Sequence, residues 1–320
     1  MRSVRWFAPN RYCGLVVPAL REAGWSIATE GEDSADLVVA MDGQSAVLGF
    51  EFAHRHRCRL LLDLWDLPPW RLGGGRPDVV FEWRGRIRRV ARVLGGFRER
   101  AGYYSRIAFA ARRADWVWAP SIATVTDLAG RFGVEARSVA YCYDSARFRP
   151  VDRQSETPQR HLSISRSVPH KNHDAVIRAA SRMEPRPVVY LIGQGPEAPA
   201  LVRLAAELGV RLELAAEWQT DEAVAAAYRR ATVVVAPSRF EGFGLTPIEG
   251  VPTVASDIPP HREHLGNTVH YSNLEDEFSL VSAIRIAIEV GSVDPAGVAH
   301  LTIERAAARF PTHLAELVGT

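Results

Sequence analysis

The sequence has almost no lysine, few cysteines and no long apolar run. Lys171 is the only lysine among its 39 basic residues, and all the others are arginine. Since a surface charge can be either residue, Lys171 marks a place that needs a compact ammonium, unless it is simply a surface lysine at a helix start. The three cysteines, Cys13, Cys58 and Cys142, lack metal or redox spacing, which predicts free thiols in a reducing compartment.

Other absences narrow the class of protein. No apolar run approaches the roughly 18 residues of a membrane span, and the N-terminal residues predict a strand rather than a signal peptide. The net charge of +2 argues neither for nor against a nucleic-acid partner, and none is expected. We therefore expect a cytoplasmic protein.

Strand and helix patterns alternate twice along the 320 residues, which predicts two parallel, doubly wound α/β domains. A polar, proline-containing linker at 147–160 separates them, so we place the first domain at 1–150 and the second from 151. Strands are expected near 4–8, 37–41, 60–64, 116–119 and 138–141, and then near 161–165, 188–192, 210–214, 232–236 and 253–256. Helices are expected near 15–23, 46–56, 84–113 and 123–132, and then near 173–182, 198–208 and 221–230, the last capped by Thr220.

The segment 237–257 carries the strongest local signal. It follows a β-branched run and contains Gly242 and Gly244 between two carboxylates, Glu241 and Glu249. Glycine amides can approach a ligand closely, and the helix start at Thr246 leaves N–H groups for an anion. Because ligands bind at the carboxyl ends of parallel strands, this loop is predicted to line a binding site.

Several motifs occur in one order in the second half. They are Ser165-Arg166 with His170-Lys171-Asn172, Leu191–Pro196, Tyr228–Ala231, Glu241–Leu245 with Glu249, and Ala255–Asp257 with Glu263. This half resembles the donor-binding domain of retaining, nucleotide-sugar-dependent glycosyltransferases of the two-Rossmann (GT-B) type, in the glycogen-synthase-like and mannosyltransferase-like family. The resemblance implies two Rossmann-like domains with an interdomain cleft, a donor domain at 151–305, and a C-terminal helix at 306–320 that packs back on the first domain.

The resemblance also implies roles for individual residues. Arg166 and Lys171 would bind the donor diphosphate and stabilise its growing charge, and Glu241 would contact the donor sugar. Further donor contacts would come from Gly242, Phe243, Gly244 and Leu245, from Glu249 on the ribose, and from Gly193, Trp218 and Gln219 around the base. No Asp-x-Asp pair is present, which fits a metal-independent enzyme whose nucleoside-diphosphate sugar is a co-substrate, with no separate cofactor.

Each assignment has a structural alternative. Glu249 lies three residues after Thr246, so the pair could form a capping box instead of a ribose site. Arg166 could form an ordinary strand-end ion pair, and Trp218 could pack against the helix that it precedes. His170 and His173 flank a helix start and are interpreted as polar caps rather than catalysts.

The connection after Glu249 departs from the family. Gly250 and Pro252 follow at once, where the family has about four more residues before its glycine. Either the helix behind the donor site is truncated, or residues are absent from the recorded sequence. Loss of four residues is close to one helical turn, so the phase is kept and the first-turn amides remain.

The first domain carries weaker signals. Gly14 lies where the family often has a glycine-rich loop, and Asp63 and Asp66 follow a strand end beside tryptophans, which would suit a polyhydroxylated or amino-bearing acceptor; a capped loop is the alternative. The stretch Arg84–Arg113 contains ten arginines and one acidic residue. It suggests either peripheral contact with anionic lipid or a phosphorylated acceptor, or else a solvated helix face.

The sequence therefore predicts a retaining hexosyltransferase. Its acceptor would be a small molecule, a glycan or a lipid-linked glycan, bound mainly by the first domain. Two alternatives remain: a related sugar phosphorylase or epimerase, and a non-catalytic partner protein that keeps the fold.

Overall fold

The computed structural model describes most of the chain. The described residues are 2–7, 11–28, 34–41, 45–65, 102, 104–148, 159–244, 246, 252–276, 278–291 and 295–319. The chain divides into two compact units, the first made of Met1–Tyr141 with Glu304–Thr320 and the second of Cys142–Ile303.

The first unit contains a parallel sheet of six strands in the order β2-β1-β3-β4-β5-β6. Its strands are β1 (Arg2–Phe7), β2 (Trp25–Ile27), β3 (Leu37–Ala40), β4 (Arg59–Asp63), β5 (Trp116–Ala119) and β6 (Arg137–Ser138). Its helices are α1 (Arg11–Glu22), α2 (Ser45–His56), α3 (104–111), α4 (Ile122–Phe132) and α10 (Ile303–Gly319).

The second unit repeats this plan with the strand order β12-β11-β10-β7-β8-β9, again parallel. Its strands are β7 (Arg160–Ile164), β8 (Val188–Ile192), β9 (Leu212–Ala215), β10 (Val233–Ala236), β11 (Thr253–Ser256) and β12 (His270–Ser272). Its helices are α5 (His173–Ser181), α6 (Ala198–Glu207), α7 (Asp221–Arg230), α8 (Pro259–Leu265) and α9 (Ser279–Val290). The prediction of two Rossmann-like, doubly wound α/β domains is confirmed.

Apolar residues on the central strands explain why helices cover the sheets. All four residues of β3 and of β10 are buried, as strands covered on both faces require. In the second unit α5, α6 and α9 pack on β8, β10 and β11 in one core, whereas α7 belongs to a smaller cluster around Tyr228. Burial of aliphatic side chains on the sheets, rather than helix propensity, thus holds each unit together.

The C-terminal helix α10 belongs to the first unit. The ring of Phe310 packs edge-on against Trp118 with centroids 5.7 Å apart, and Arg59 Nη1 donates to the Leu317 carbonyl at 2.9 Å. These contacts fix α10 on β4 and β5.

Three predicted elements differ from the structure. The strand expected at 138–141 is the two-residue strand β6, Arg137–Ser138. The strand expected at 210–214 begins two residues later, as β9. The helix expected near 15–23 begins four residues earlier, so Gly14, at the position where the family often has a glycine-rich loop, lies in the first turn of α1. The sequence analysis also missed β2 and β12, which have three residues each, and it assigned no helix between 257 and 290, where α8 and α9 lie.

Within the described residues, no helix has both the length and the apolar character that crossing a bilayer demands.

Candidate active site

Lys171 and Glu241 meet at the carboxyl edge of the second sheet. β7 and β10 are parallel neighbours, so the loops that follow them leave the sheet on the same side. Lys171 ends a short 3-10 turn after β7, and Glu241 lies in the loop after β10. The Lys171 Nζ donates to Glu241 Oε1 at 2.6 Å, and both side chains are largely buried, with 14% and 16% of their surface exposed. The structure thus brings together two of the three residues predicted from the sequence to be catalytic.

Electrostatics keep Glu241 ionised. Burial alone would raise the pKa of its carboxyl group, but Lys171 and the nearby His261 outweigh burial, and the pKa lies below its ordinary value. Hydrogen bonds from Lys171 and Ser238 add to this effect. The site thus carries a stable ammonium–carboxylate pair.

Asn172 and Arg239 tie the two loops together. Asn172 Nδ2 donates to the Pro237 carbonyl at 3.1 Å, and Arg239 Nη2 donates to Asn172 Oδ1 at 2.9 Å. The Arg239 backbone N–H also donates to the His170 carbonyl at 2.7 Å. Asn172 has a positive φ of 58°, a conformation that asparagine tolerates better than most residues. These contacts hold Lys171 and Glu241 in register.

Gly193 brings the turn after β8 against the turn after β7. A Cβ atom at position 193 would lie 1.8 Å from the Ser165 carbonyl oxygen, so only glycine fits there. The Ser167 hydroxyl closes the contact by donating to the Gly193 carbonyl at 3.0 Å. Arg166 lies between these two serines and is therefore held by backbone contacts on both sides.

The side chain of Arg166 is exposed and, among the described residues, has no ion-pair partner. The strand-end ion pair considered as an alternative therefore has no counterpart in this part of the chain. His173 is not a polar cap: it is buried, with Ser163 Oγ 3.2 Å from its Nδ1 and Ser165 Oγ 3.0 Å from its Nε2. Burial lowers its pKa, so His173 is a neutral internal link between α5 and β7.

The turn Gly242–Gly244 presents backbone rather than side chains. The Phe243 ring is buried and packs on His264 with centroids 4.2 Å apart, which leaves only its main chain for a ligand. Gly244 has a φ of +89°, and a Cβ atom there would lie within 2.7 Å of the His261 ring. His261 is thus a part of the site that the sequence analysis missed.

Two of the three residues predicted around the nucleotide base, Trp218 and Gln219, lie in the loop between β9 and α7. Trp218 is 88% exposed, so the alternative that it packs against α7 is wrong. Gln219 is partly buried, and its side-chain amide donates to the Glu217 carbonyl at 3.2 Å. Thr220 caps α7 by accepting from the Ala223 N–H, which confirms the predicted cap.

Part of the predicted site lies outside the described residues. This applies to Leu245, Glu249, Asp66, the connection 249–251 and most of Arg84–Arg113. Thr246 is described: its hydroxyl donates to the Ile164 carbonyl at 3.0 Å, and its own carbonyl accepts from Tyr228 at 2.9 Å. The loop after β10 is therefore anchored on the end of β7.

Asp63, unlike Gly14 in α1, lies at the end of a strand among the described candidates for the acceptor site in the first unit. It ends β4, is only 3% exposed and accepts a hydrogen bond from the Tyr141 hydroxyl at 2.7 Å. Trp65 stacks on Tyr141 with centroids 4.1 Å apart. Burial raises the pKa of Asp63 to about 7, although the Tyr141 hydrogen bond works in the opposite direction.

Among the described residues, no three histidine, cysteine, aspartate or glutamate side chains are grouped as metal ligands would be.

Sequence comparison finds relatives of the second unit. Residues 144–287 match the family model described as glycosyl transferases group 1. The chain is 28% identical over 169 residues to the O-antigen chain mannosyltransferase RfbU of Salmonella typhimurium, a match covering 51% of this chain and 48% of that protein. It is 34% identical over 138 residues to a D-inositol 3-phosphate glycosyltransferase of Nocardia farcinica, covering 36% of this chain and 31% of that protein. These matches span about half, or less, of each relative.

Structural comparison extends over both units. The structure of HepE from Anabaena in complex with UDP and glucose matches with a TM-score of 0.66 and 15% identity, and each chain is covered completely. At such identity the likeness shows the fold alone. The chain therefore has the GT-B fold of two Rossmann-like units, and its residues 144–287 are similar to the group 1 glycosyltransferases.

Proposed function

We propose that the protein is a retaining, metal-independent glycosyltransferase that moves a hexose-type sugar from a nucleoside diphosphate to an acceptor hydroxyl. The observation that carries the proposal is the Lys171–Glu241 pair, held at the carboxyl edge of the group 1 domain beside an exposed Arg166. Two cations face one edge of the sheet, and an anionic diphosphate is the ligand that such an edge favours.

The pair orients Lys171 for the diphosphate. An ammonium has three N–H donors, and Glu241 takes one of them at 2.6 Å. The remaining donors point to phosphate oxygens, while Glu241 stays close enough to accept from hydroxyl groups of the donor sugar. Arg166 supplies a second, planar donor set for the same anion.

In the proposed reaction the bond between the sugar C1 and the diphosphate oxygen breaks as the acceptor oxygen attacks C1 from the same face. The acceptor proton passes to the departing diphosphate, so no side-chain base is needed. Lys171 and Arg166 stabilise the negative charge that grows on the leaving group. The sequence contains no Asp-x-Asp pair, which supports a reaction without a metal.

The remaining contacts in this proposal rest on the resemblance of the sequence to the family. We assign the base to Gly193, Trp218 and Gln219, the sugar to the amides of Gly242–Gly244 with Leu245, and the ribose to Glu249. Asp63, Asp66 and Gly14 remain the candidates for the acceptor. The relatives, an O-antigen chain mannosyltransferase and a D-inositol 3-phosphate glycosyltransferase, support a hexose donor and a polyhydroxylated acceptor.

A screen of UDP- and GDP-hexoses with glycan and polyol acceptors tests this function. We expect hydrolysis or transfer with at least one donor, unchanged after EDTA treatment, and a product with the donor's anomeric configuration by NMR. Transfer that requires added metal, or an inverted product, would contradict the corresponding part of the proposal.

Arg166→Ala tests the role of the cation directly. We expect kcat/KM to fall roughly 30- to 1000-fold, about 2 to 4 kcal/mol of transition-state stabilisation, with an unchanged free energy of unfolding because the side chain is exposed. Arg178→Ala is the matched control, since Arg178 is an exposed arginine paired with Asp174 on α5. Equal turnover in both variants would remove Arg166 from the mechanism.

The short connection after Glu249 favours a second candidate, a non-catalytic partner that keeps the fold. Gly250 and Pro252 both oppose continuation of a helix behind the donor site. Binding of a nucleoside diphosphate without turnover of any donor would favour this candidate.

A further inference from the structure

His261 lies beneath the loop that carries Glu241 and has no assigned role. It belongs to α8, its side chain is completely buried, and its Nδ1 lies 2.9 Å from the Ser256 carbonyl oxygen. A carbonyl oxygen only accepts hydrogen bonds, so Nδ1 carries the proton and Nε2 is an unprotonated acceptor. That Nε2 is buried and finds no hydrogen-bond partner in the described part of the chain.

The imidazole ring supports the glycine turn by direct contact. Gly244 has a φ of +89°, and a Cβ atom there would lie 2.6 Å from Cδ2 and 2.7 Å from Nε2 of His261. The ring occupies the space that any other residue at 244 would need. Gly244 is therefore required twice, for its backbone conformation and for the ring below it.

A second path joins His261 to Glu241. The Ser256 hydroxyl donates to the Ser238 carbonyl, and the Ser238 side chain hydrogen-bonds Glu241. Since His261 binds the Ser256 carbonyl, both ends of the loop from Ser238 to Gly244 rest on one buried imidazole. Burial lowers the pKa of His261, although the nearby Glu241 acts in the opposite direction, which agrees with a neutral imidazole.

We propose that His261 is a positioning residue that fixes the Glu241–Gly244 turn for the donor sugar, an inference that rests on the proposed function. His261 acts by holding the turn that places the Glu241 carboxylate, and it does not touch the substrate. Its contribution should therefore vanish once Glu241 can no longer perform its own role.

A double-mutant cycle tests this dependence. His261→Asn keeps a donor near the position of Nδ1 but removes the far side of the ring. We expect it to lower kcat/KM for transfer about 10- to 100-fold while affinity for the nucleoside diphosphate alone changes less than about threefold. In an E241Q background the same substitution should cost less than about threefold.

A buried histidine elsewhere in the unit provides the control. His161, on β7, is also completely buried but lies outside the turn. His161→Leu should change kcat/KM by less than about threefold with either residue at position 241. The proposal would be overturned if H261N lowered kcat/KM by the same factor with Glu241 and in the E241Q background. His261 would then serve only general stability.

Two measurements do not depend on turnover. Gly244→Ala should reduce the folding equilibrium constant at least about tenfold more in the wild-type background than in H261N, because only the ring contact differs. In ¹⁵N NMR spectra of labelled histidine, the His261 signals are those that disappear in H261N. These signals should show a protonated Nδ1 and an unprotonated Nε2. An Nε2–H tautomer, or equal effects of Gly244→Ala in both backgrounds, would reject the contact. Absence of transfer in the wild type would reject the proposed function, while these two results still decide on His261.

Discussion

Asp63 and Glu241 are buried carboxyl groups at the carboxyl ends of the two parallel sheets, and they respond to burial in opposite ways. Burial raises the pKa of Asp63 to about 7, because its nearest described partner, Tyr141, is neutral. Burial acts on Glu241 too, but the ammonium of Lys171 reverses the shift and the pKa is lowered. A buried carboxyl group at the carboxyl edge of a sheet is therefore a titrating acid in one unit and a permanent anion in the other.

The comparison shows that the partner, not the depth of burial, decides the charge. A neutral hydroxyl solvates one side of a carboxylate and leaves its charge uncompensated, whereas an ammonium compensates it. Exchanging or removing these partners should therefore change both the charge of each carboxyl group and the stability of the protein.

Lys171→Met should have the largest effect, because it leaves the Glu241 charge buried and unpaired. We expect kcat/KM to fall up to about 1000-fold and the free energy of unfolding to fall by about 3 to 5 kcal/mol. The pKa of Glu241 should rise, as that of Asp63 does. Urea unfolding and steady-state kinetics measure both effects.

The double variant K171M/E241Q separates the two effects. It should recover most of the lost stability, since no buried charge remains, but none of the activity. A double variant as unstable as K171M would mean that lost packing, not charge, explains the cost.

Asp63→Asn should stabilise the protein at alkaline pH. The folded-state pKa is raised from 3.8 to about 7, so the stability that neutral Asp63 provides is complete below pH 3.8 and is lost as the pH rises through 7. Asparagine stays neutral and can still accept from Tyr141. The difference in the free energy of unfolding between the variant and the wild type should be about 3 to 4 kcal/mol more favourable to the variant at pH 8 than at pH 4. Urea unfolding at both pH values measures this difference. A difference that does not vary with pH would show that Asp63 is not buried as a neutral acid.

His161→Leu extends the comparison to a buried base without a partner. Burial lowers the pKa of His161 from 6.5 to about 4, and neither ring nitrogen has a hydrogen-bond partner in the described chain. The unfolded chain therefore takes up a proton first, and stability falls as the pH drops from 6.5 to 4. Removing the imidazole should raise the free energy of unfolding, relative to the wild type, by about 2 to 3 kcal/mol more at pH 4 than at pH 8. Parallel stability curves of the variant and the wild type would contradict this.

Tyr141→Phe should have the smallest effect. It removes the 2.7 Å hydrogen bond to Asp63 and leaves the stacking on Trp65. We expect a loss of about 1 to 2 kcal/mol at pH 8 and less at pH 4, because the bond is stronger to the ionised carboxylate. An equal loss at both values would indicate a packing effect.

Much of the fold could be predicted because buried strands of parallel sheets are continuous apolar runs. The sequence runs Leu60–Leu64 and Val188–Ile192 alone predict β4 and β8. β2 and β12 could not be found in this way, because three residues are too few to form a pattern. α8 begins with two prolines and has only seven residues, so its sequence suggests a turn.

The residues of the candidate site also differ in whether a local sequence pattern reveals them. Lys171 and Glu241 stand in local motifs and could be identified from them. His261, Asn172 and Arg239 act across the fold: Asn172 and Arg239 are 67 residues apart and meet only because β7 and β10 are neighbours. Their one local signal is Asn172, between Lys171 and His173 at a helix start, since asparagine tolerates a positive φ.

The contact between Gly193 and Ser165 has a consequence for protein engineering. A side chain at position 193 would put its first carbon 1.8 Å from a main-chain oxygen of the neighbouring loop, and a main chain cannot rotate aside as a rotamer can. The two loops therefore form one exchangeable module. A chimera that imports the β8 loop from another enzyme to change donor choice has to import the β7 loop that carries Arg166 with it.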